Sequence, residues 1–258
     1  MRPWLDALNR CVEADTPCVL VTLVGTEGSS PRETGAKMLV TPDSAHGTLG
    51  GGTVELVAQE RGRELLAAGE TAASEQEFTL SDETDQACGG RMRLLFEPFQ
   101  PPALNIAVFG AGHVGRALVE VLAQIPCRIH WLDSRPEQFP EALPAQVRRH
   151  VPDDPASMVR ELPAGTLLVA MTHSHDTDLA IITAALQRDD LPFIGTIGSG
   201  TKRGRFMHRL RDAGLGRAAE ERLVCPVGLE GIGGKAPGHI AISLAAQLLQ
   251  YAEAAAGD

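Results

Sequence analysis

Between Asn105 and Leu118 the chain reads NIAVFGAGHVGRAL, an apolar run broken by three glycines and followed by a helical pattern. No other stretch limits the fold so tightly. The apolar run suits a buried strand, Gly110, Gly112 and Gly115 stand in G-x-G-x-x-G spacing, and the next apolar residues recur at helical intervals. In such a unit the first glycine lets the chain turn, the second lets backbone approach a phosphate, and the third lets helix and strand pack closely. The helix N-terminus then directs its amides at an anion. Asp133 closes the next apolar run about twenty residues on, where a carboxylate meets ribose hydroxyls and favours NAD over NADP. The alternative is a purely structural strand, turn and helix, in which His113 is merely a solvated side chain.

After the prolines of QPPA (100–103), apolar runs alternate with amphipathic ones: NIAVF, GRALVEVLAQ, RIHWLD, LLVAM, LAIITAALQ, FIGTI, KRGRFMHRLRDAG. Near-continuous apolar strands between helices require a parallel sheet covered on both faces. Before the prolines, PCVLVTLVG, AKMLVT, EQEFTLS and RMRLLFEP suit strands, and VELVAQERGRELLAAG suits a helix ended by Gly69. The expected fold class is therefore α/β, with a C-terminal Rossmann-like doubly wound parallel sheet (104–258) behind an N-terminal α+β domain (1–100). The Ala-rich run HIAISLAAQLLQYAEAAA is expected to pack back across the domain boundary.

Three more glycine loops lie in the first domain: GTEGSSPRETGAKM, GTLGGGTVE and CGGRM. Gly50, Gly51 and Gly52 precede a helix, so their amides can receive a phosphate, with Arg32 and Lys37 adding charge if the loops converge; the alternative is a set of tight turns. Cys88, followed by Gly89, sits in an uncluttered turn that exposes a thiol, although Asp82, Glu83 and Asp85 work against the thiolate. In IGSGTKRGRF, Lys202 and Arg203 oppose the dipole at a helix start, a conflict that a bound anion relieves. In MTHSHDTD, His173, His175 and Asp176 follow a strand end that opens on the crevice. They suit a proton relay or a metal site, or else Asp176 or Thr177 caps the next helix.

A formal charge of −10 disfavours nucleic acid and anionic membrane surfaces as partners. No apolar stretch reaches the roughly 18 to 20 residues of a spanning helix, and MRPWLDALNR lacks the apolar core of a secretory signal, so a cytoplasmic protein is expected. The five cysteines lack C-x-x-C spacing and suit reduced thiols. The single tyrosine, Tyr251, lies far from the glycine fingerprint, which argues against a tyrosine–lysine acid–base pair.

Taken in order, GTLGGGTVE, CGGRMRLLFEP, AVFGAGHVGRAL, HWLDSRPEQFP, VAMTHSHDTD, IGSGTKRGRF and PVGLEGIGGKAPGHIAISLAAQLL resemble the XdhC family, accessory proteins of bacterial xanthine dehydrogenase. The resemblance runs from about Val21 to Leu249. It implies a non-catalytic chaperone that binds the molybdenum cofactor (molybdopterin with its dithiolene, metal and phosphate), shelters it between two lobes, supports its sulfuration with a cysteine desulfurase, and delivers it to apo-xanthine dehydrogenase. Upstream cofactor-biosynthesis proteins are the implied donors, and a homodimer is expected. Cys88 is then a candidate molybdenum ligand. Related members can carry Cys or His after the glycine triplet, whereas this chain has Thr53, a poor ligand, although the glycines can still hold phosphate. The crevice is left with three occupants: the pterin phosphate, a nucleotide such as NAD, or none. The competing expectations are an NAD(P)-dependent oxidoreductase using the His173–Asp176 stretch and a nucleotide-sensing binding protein.

Overall fold

The computed structural model describes residues 2–28, 32–79 and 90–256, and the chain divides into two compact units, Met1–Pro101 and Pro102–Asp258. Pro101 and Pro102 stand at the division, where neither a helix nor a ladder could continue through them.

The first unit runs α1 (Pro3–Ala14), β1 (Cys18–Glu27), β2 (Lys37–Val40), β3 (Ala45–Gly47), α2 (Gly52–Ala67), β4 (Ser74–Thr79) and β5 (Arg91–Phe99). Its strands form an antiparallel sheet in the order β3-β2-β1-β5-β4. In β1, CVLVTL is buried throughout instead of alternating, because both faces are covered. Val19, Val21 and Leu23 pack with Val54, Ala58 and Leu65 of α2, while Cys18 and Leu20 pack with Ala7 and Cys11 of α1. Burying each such aliphatic side chain contributes roughly 1.5–3 kcal/mol. Gly69 (φ +68°) ends α2: its amide donates to Leu66 and that of Glu70 to Leu65, the paired bonds that close a helix through a left-handed residue. Burial pushes the Cys18 thiol up to about 12, with Cys11 beside it adding to the effect. The described cysteines Cys11, Cys18, Cys127 and Cys225 are all free and buried.

The second unit contains β6 (Asn105–Phe109), α3 (His113–Leu122), β7 (Arg128–Leu132), β8 (Val147–His150), β9 (Leu167–Ala170), α4 (His175–Leu186), β10 (Phe193–Thr196), α5 (Gly200–Asp212), α6 (Arg217–Arg222), β11 (Leu223–Val224) and α7 (Pro237–Ala256). All the strand pairs are parallel, in the order β11-β10-β9-β6-β7-β8. Read from β8, this is the 3-2-1-4-5-6 order of a dinucleotide-binding fold, with its reversal between β6 and β9. One face packs on α3 and α7, the other on α4, α5 and the 3-10 turn Pro155–Glu161. The last helix packs within its own unit: Ala241, Leu244, Ala245 and Leu248 of α7 join Leu118, Val119 and Leu122 of α3 in one core.

At the β7–β8 edge, His130 and His150 stack at 5.5 Å between centroids, and Nε2 of His130 is buried without a hydrogen-bond partner. Burial, then the charges of His150, Arg128 and Arg148, lowers His130 to about 4; burial also lowers His150. An unfolded histidine titrates near 6.5, so between that pH and about 4 the unfolded chain takes up a proton that the folded chain refuses. Stability should therefore fall as pH drops through this window. The loss from His130 should be about 1–2 kcal/mol, allowing for solvent screening of a partly exposed ring. Urea titrations at pH 7 and pH 4.5 should show the loss in the native chain and a smaller one in His130→Phe.

Candidate functional site

The three glycines of the fingerprint have separable jobs. At Gly110 (φ +120°) a Cβ would run into the carbonyl of Met171 on the loop after β9, and at Gly115 it would run into the carbonyl of Gly110. At Gly112 a Cβ would meet nothing within 4 Å, so the space there is open to a ligand. The bend is held from several sides. Gly110 N–H donates to Leu132 O (2.7 Å), Trp131 Nε1 donates to Gly110 O (3.1 Å), and Arg116 Nε donates to the carbonyls of Ala111 (3.2 Å) and Gln138 (3.0 Å).

A cavity of about 390 Å³ opens at this bend, lined among others by Gly112, His113, Arg116, Arg135, Met171 and His173. It lies outside the carboxyl ends of β6 and β9, at the reversal of strand order, where open α/β sheets bind ligands. Gly112 is the N-cap of α3 and brings no capping side chain, so the first-turn amides keep no acceptor within the helix. With Arg116 and Arg135 beside them, these amides make the cavity a place for a small anion.

Asp133 departs from its expected role. Its side chain is only 4% exposed; Oδ2 accepts from Ala111 N–H (2.8 Å) and Arg135 Nη2 (2.9 Å), and Oδ1 accepts from Arg135 N–H (3.0 Å) and Nε (2.9 Å). The carboxylate is spent on fixing the glycine loop and Arg135, and a ribose cannot reach it. Burial opposes its charge, but the hydrogen bonds from Arg135 and from the two amides outweigh that and hold the carboxyl below its usual range.

The other expected site residues separate. His113 and His173 are exposed and line the cavity, whereas His175 lines a different one beside α5, with Lys202 and Arg205. Asp176 is exposed and pairs with Arg209. The cap of α4 is Ser174, whose Oγ accepts from Thr177 N–H, and not Asp176 or Thr177. Among the described residues no group of three or more His, Cys, Asp or Glu could hold a metal. Lys202 turns inward: its Nζ donates to Asp178 Oδ2 (2.8 Å), Ile197 O (2.8 Å) and Thr196 Oγ1 (3.3 Å), so its charge is met within the fold. Arg203 is exposed and is not among the residues lining either cavity.

In the first unit the phosphate expectation for Gly50, Gly51 and Gly52 meets an internal competitor. Glu55 Oε2, one turn into α2, accepts from Leu49 N–H (3.0 Å), Gly51 N–H (3.0 Å) and Thr48 Oγ1 (2.6 Å), and Gly50 N–H donates to Thr48 Oγ1 (3.1 Å). The loop thus carries its own anion. Lys37 donates to Thr22 Oγ1 and lies over Trp4, and Arg32 is exposed. Cys88 and Gly89 lie outside the described residues.

Arg116 and Arg135 were not picked out from sequence. The available signal was in LDSRPEQF, where a basic residue two positions past the strand-ending Asp precedes the proline of a 3-10 turn (Pro136–Gln138).

Comparison with known proteins agrees with this fold. Residues 106–248 match the model of the XdhC Rossmann domain, and residues 11–78 match that of the XdhC and CoxI family. The chain is 30% identical over 257 residues to the uncharacterized protein YqeB of Escherichia coli K12, covering 95% of this chain but only 45% of that protein. A crystal structure described as a xanthine dehydrogenase from Bacillus halodurans shares the fold. It is 22% identical, with a TM-score of 0.51 over 98% of this chain and 96% of that one. The glycine loop lies within the residues that match the Rossmann-domain model, which span more than half of the chain, and the chain belongs to the XdhC family.

Proposed function

We propose that this chain is an accessory protein of xanthine dehydrogenase that binds the molybdenum cofactor by its phosphate, shelters it, supports its sulfuration by a cysteine desulfurase and passes it to the apo-enzyme. It receives the cofactor from the biosynthetic proteins, acts in the cytoplasm as a homodimer, and performs no catalysis of its own. The observation that carries this reading is the crevice at Gly112: open space, an uncapped helix start, and two arginines at the lining. These residues fit a phosphate. The first turn of α3 would hold it, Arg116 would balance its charge, and the close packing at Gly110 and Gly115 would keep the cradle from moving. Once delivered, the cofactor would supply the redox chemistry of the dehydrogenase. Among the described residues lining the crevice none offers its metal a thiolate, so within this reading a sulfur ligand comes from elsewhere, with Cys88 the candidate.

Reconstitution of apo-xanthine dehydrogenase with free cofactor, with and without this protein, tests the proposal. Activation should rise and the protein should retain pterin after gel filtration. Both effects should be lost in Gly112→Asp, which sets a carboxylate in the gap. Absence of stimulation and of retention in the unmodified chain would remove the reading. His173 in the crevice favours a second one, an NAD(P)-dependent oxidoreductase, which requires nicotinamide turnover that disappears in His173→Ala.

A further inference from the structure

In a dinucleotide crevice, the end of the second strand supplies an acceptor for the ribose diol. Here that acceptor is closed off. Asp133 is buried, and its carboxylate accepts only from Arg135 and the Ala111 amide. What reaches the cavity from this position is Arg135, 32% exposed, using Nε and Nη2 to hold Asp133 and keeping Nη1 uncommitted. Arg116 is arranged in the same way. Its Nε and Nη2 are spent on the carbonyls of Ala111 and Gln138, and its Nη1 is left over. Both guanidiniums are pinned on their inner edges, so little side-chain entropy remains to be lost when the outer nitrogen meets a ligand.

We propose that this end of the crevice is a phosphomonoester site built on Arg135, and that the crevice selects a ligand ending in a dianionic phosphate over one presenting ribose hydroxyls. The inference rests on the reading of the crevice as a phosphate cradle and names the class of anion it prefers. Two sources carry that chemistry: the terminal phosphate of the pterin, and a 2′-phosphate on a dinucleotide.

Calorimetric titration of the full chain with two matched pairs separates them. The first pair is NADP and NAD, which differ only in the 2′-phosphate. The second is molybdopterin and its nucleotide-extended form, in which the terminal monoester has been built into a diphosphate bridge that ends in a nucleoside. In at least one pair the monoester should bind about tenfold or more tightly, the effect of one charge-assisted contact. The pair that discriminates identifies the source. The preference should disappear in Arg135→Gln, and Arg135→Lys, which retains a cation beside Asp133, should keep part of it. Equal affinity within both pairs, a reversed order, or no binding by any of the four overturns the proposal. Discrimination between NADP and NAD without molybdopterin binding would sink the chaperone reading and leave this site standing. Molybdopterin bound no tighter than its nucleotide-extended form, with no preference for NADP, would do the reverse.

Discussion

Replacing Gly115 with alanine is expected to destabilise the second unit by about 3 kcal/mol or more, since the added methyl meets a backbone carbonyl that cannot rotate away. For a unit of this size the melting temperature should drop by roughly 6–12 °C. Gly110→Ala should be at least as severe, because it combines a clash against the Met171 carbonyl with a φ of +120° that L-residues rarely adopt. Gly112→Ala is the internal control: the space is open, φ is −73°, and stability should change by less than about 1 kcal/mol. Thermal melts of the three variants check the ordering. If Gly112→Ala proved as damaging as Gly115→Ala, the division of labour among the glycines would be wrong.

The second large effect concerns Lys202 and Asp178, whose side chains are 11% and 1% exposed. Their ion pair ties together two strand-end loops. Asp178 Oδ1 accepts from Thr172 N–H (2.8 Å) and Oγ1 (2.7 Å) after β9, and Lys202 Nζ donates to Ile197 O (2.8 Å) after β10. Thr172 and Ile197 both line the crevice. Lys202→Met leaves a carboxylate in the interior without its counter-charge, and Asp178→Asn strands an ammonium. Each should cost about 3–5 kcal/mol. The double variant should cost clearly less than the sum of the two, because the coupling is removed from both sides. Denaturant titrations completing that cycle measure it, and simple additivity would show that the two groups act independently.

The elements legible in the sequence are those whose apolar pattern is set by burial. β9 and β10 are buried throughout and β6 from Ile106 onward, so all three read as apolar runs, and α3 carries the matching helical periodicity. The elements that escaped notice lie at edges or ends. β8 is VRRH and β11 is LV, too short and, for β8, too charged to stand out, because an outer strand needs fewer apolar side chains than a central one. α1 went unread although Trp4, Ala7, Leu8 and Cys11 form an apolar stripe at helical spacing, a signal the sequence did carry. In the crevice, glycine spacing located the turn, whereas the arginines that line it, Arg116 and Arg135, went unread. Charge bookkeeping failed wherever a side chain folded back on its own chain. Asp133 and Lys202 each look like groups awaiting a partner when counted along the sequence. Each finds one nearby, because the closest donor or acceptor within the fold forms its bond without the entropy of capturing a second molecule.

Trp131 adds an optical consequence to the geometry of the bend. The chain has two tryptophans, and this one is 1% exposed, with its indole N–H on the Gly110 carbonyl and its ring edge against Phe139. Its emission should be blue-shifted, and any movement of the glycine turn on ligand capture must pass through the atom to which the indole is bonded. The fold thus carries its own fluorophore, and with Trp4 replaced by phenylalanine, occupancy could be followed without a label.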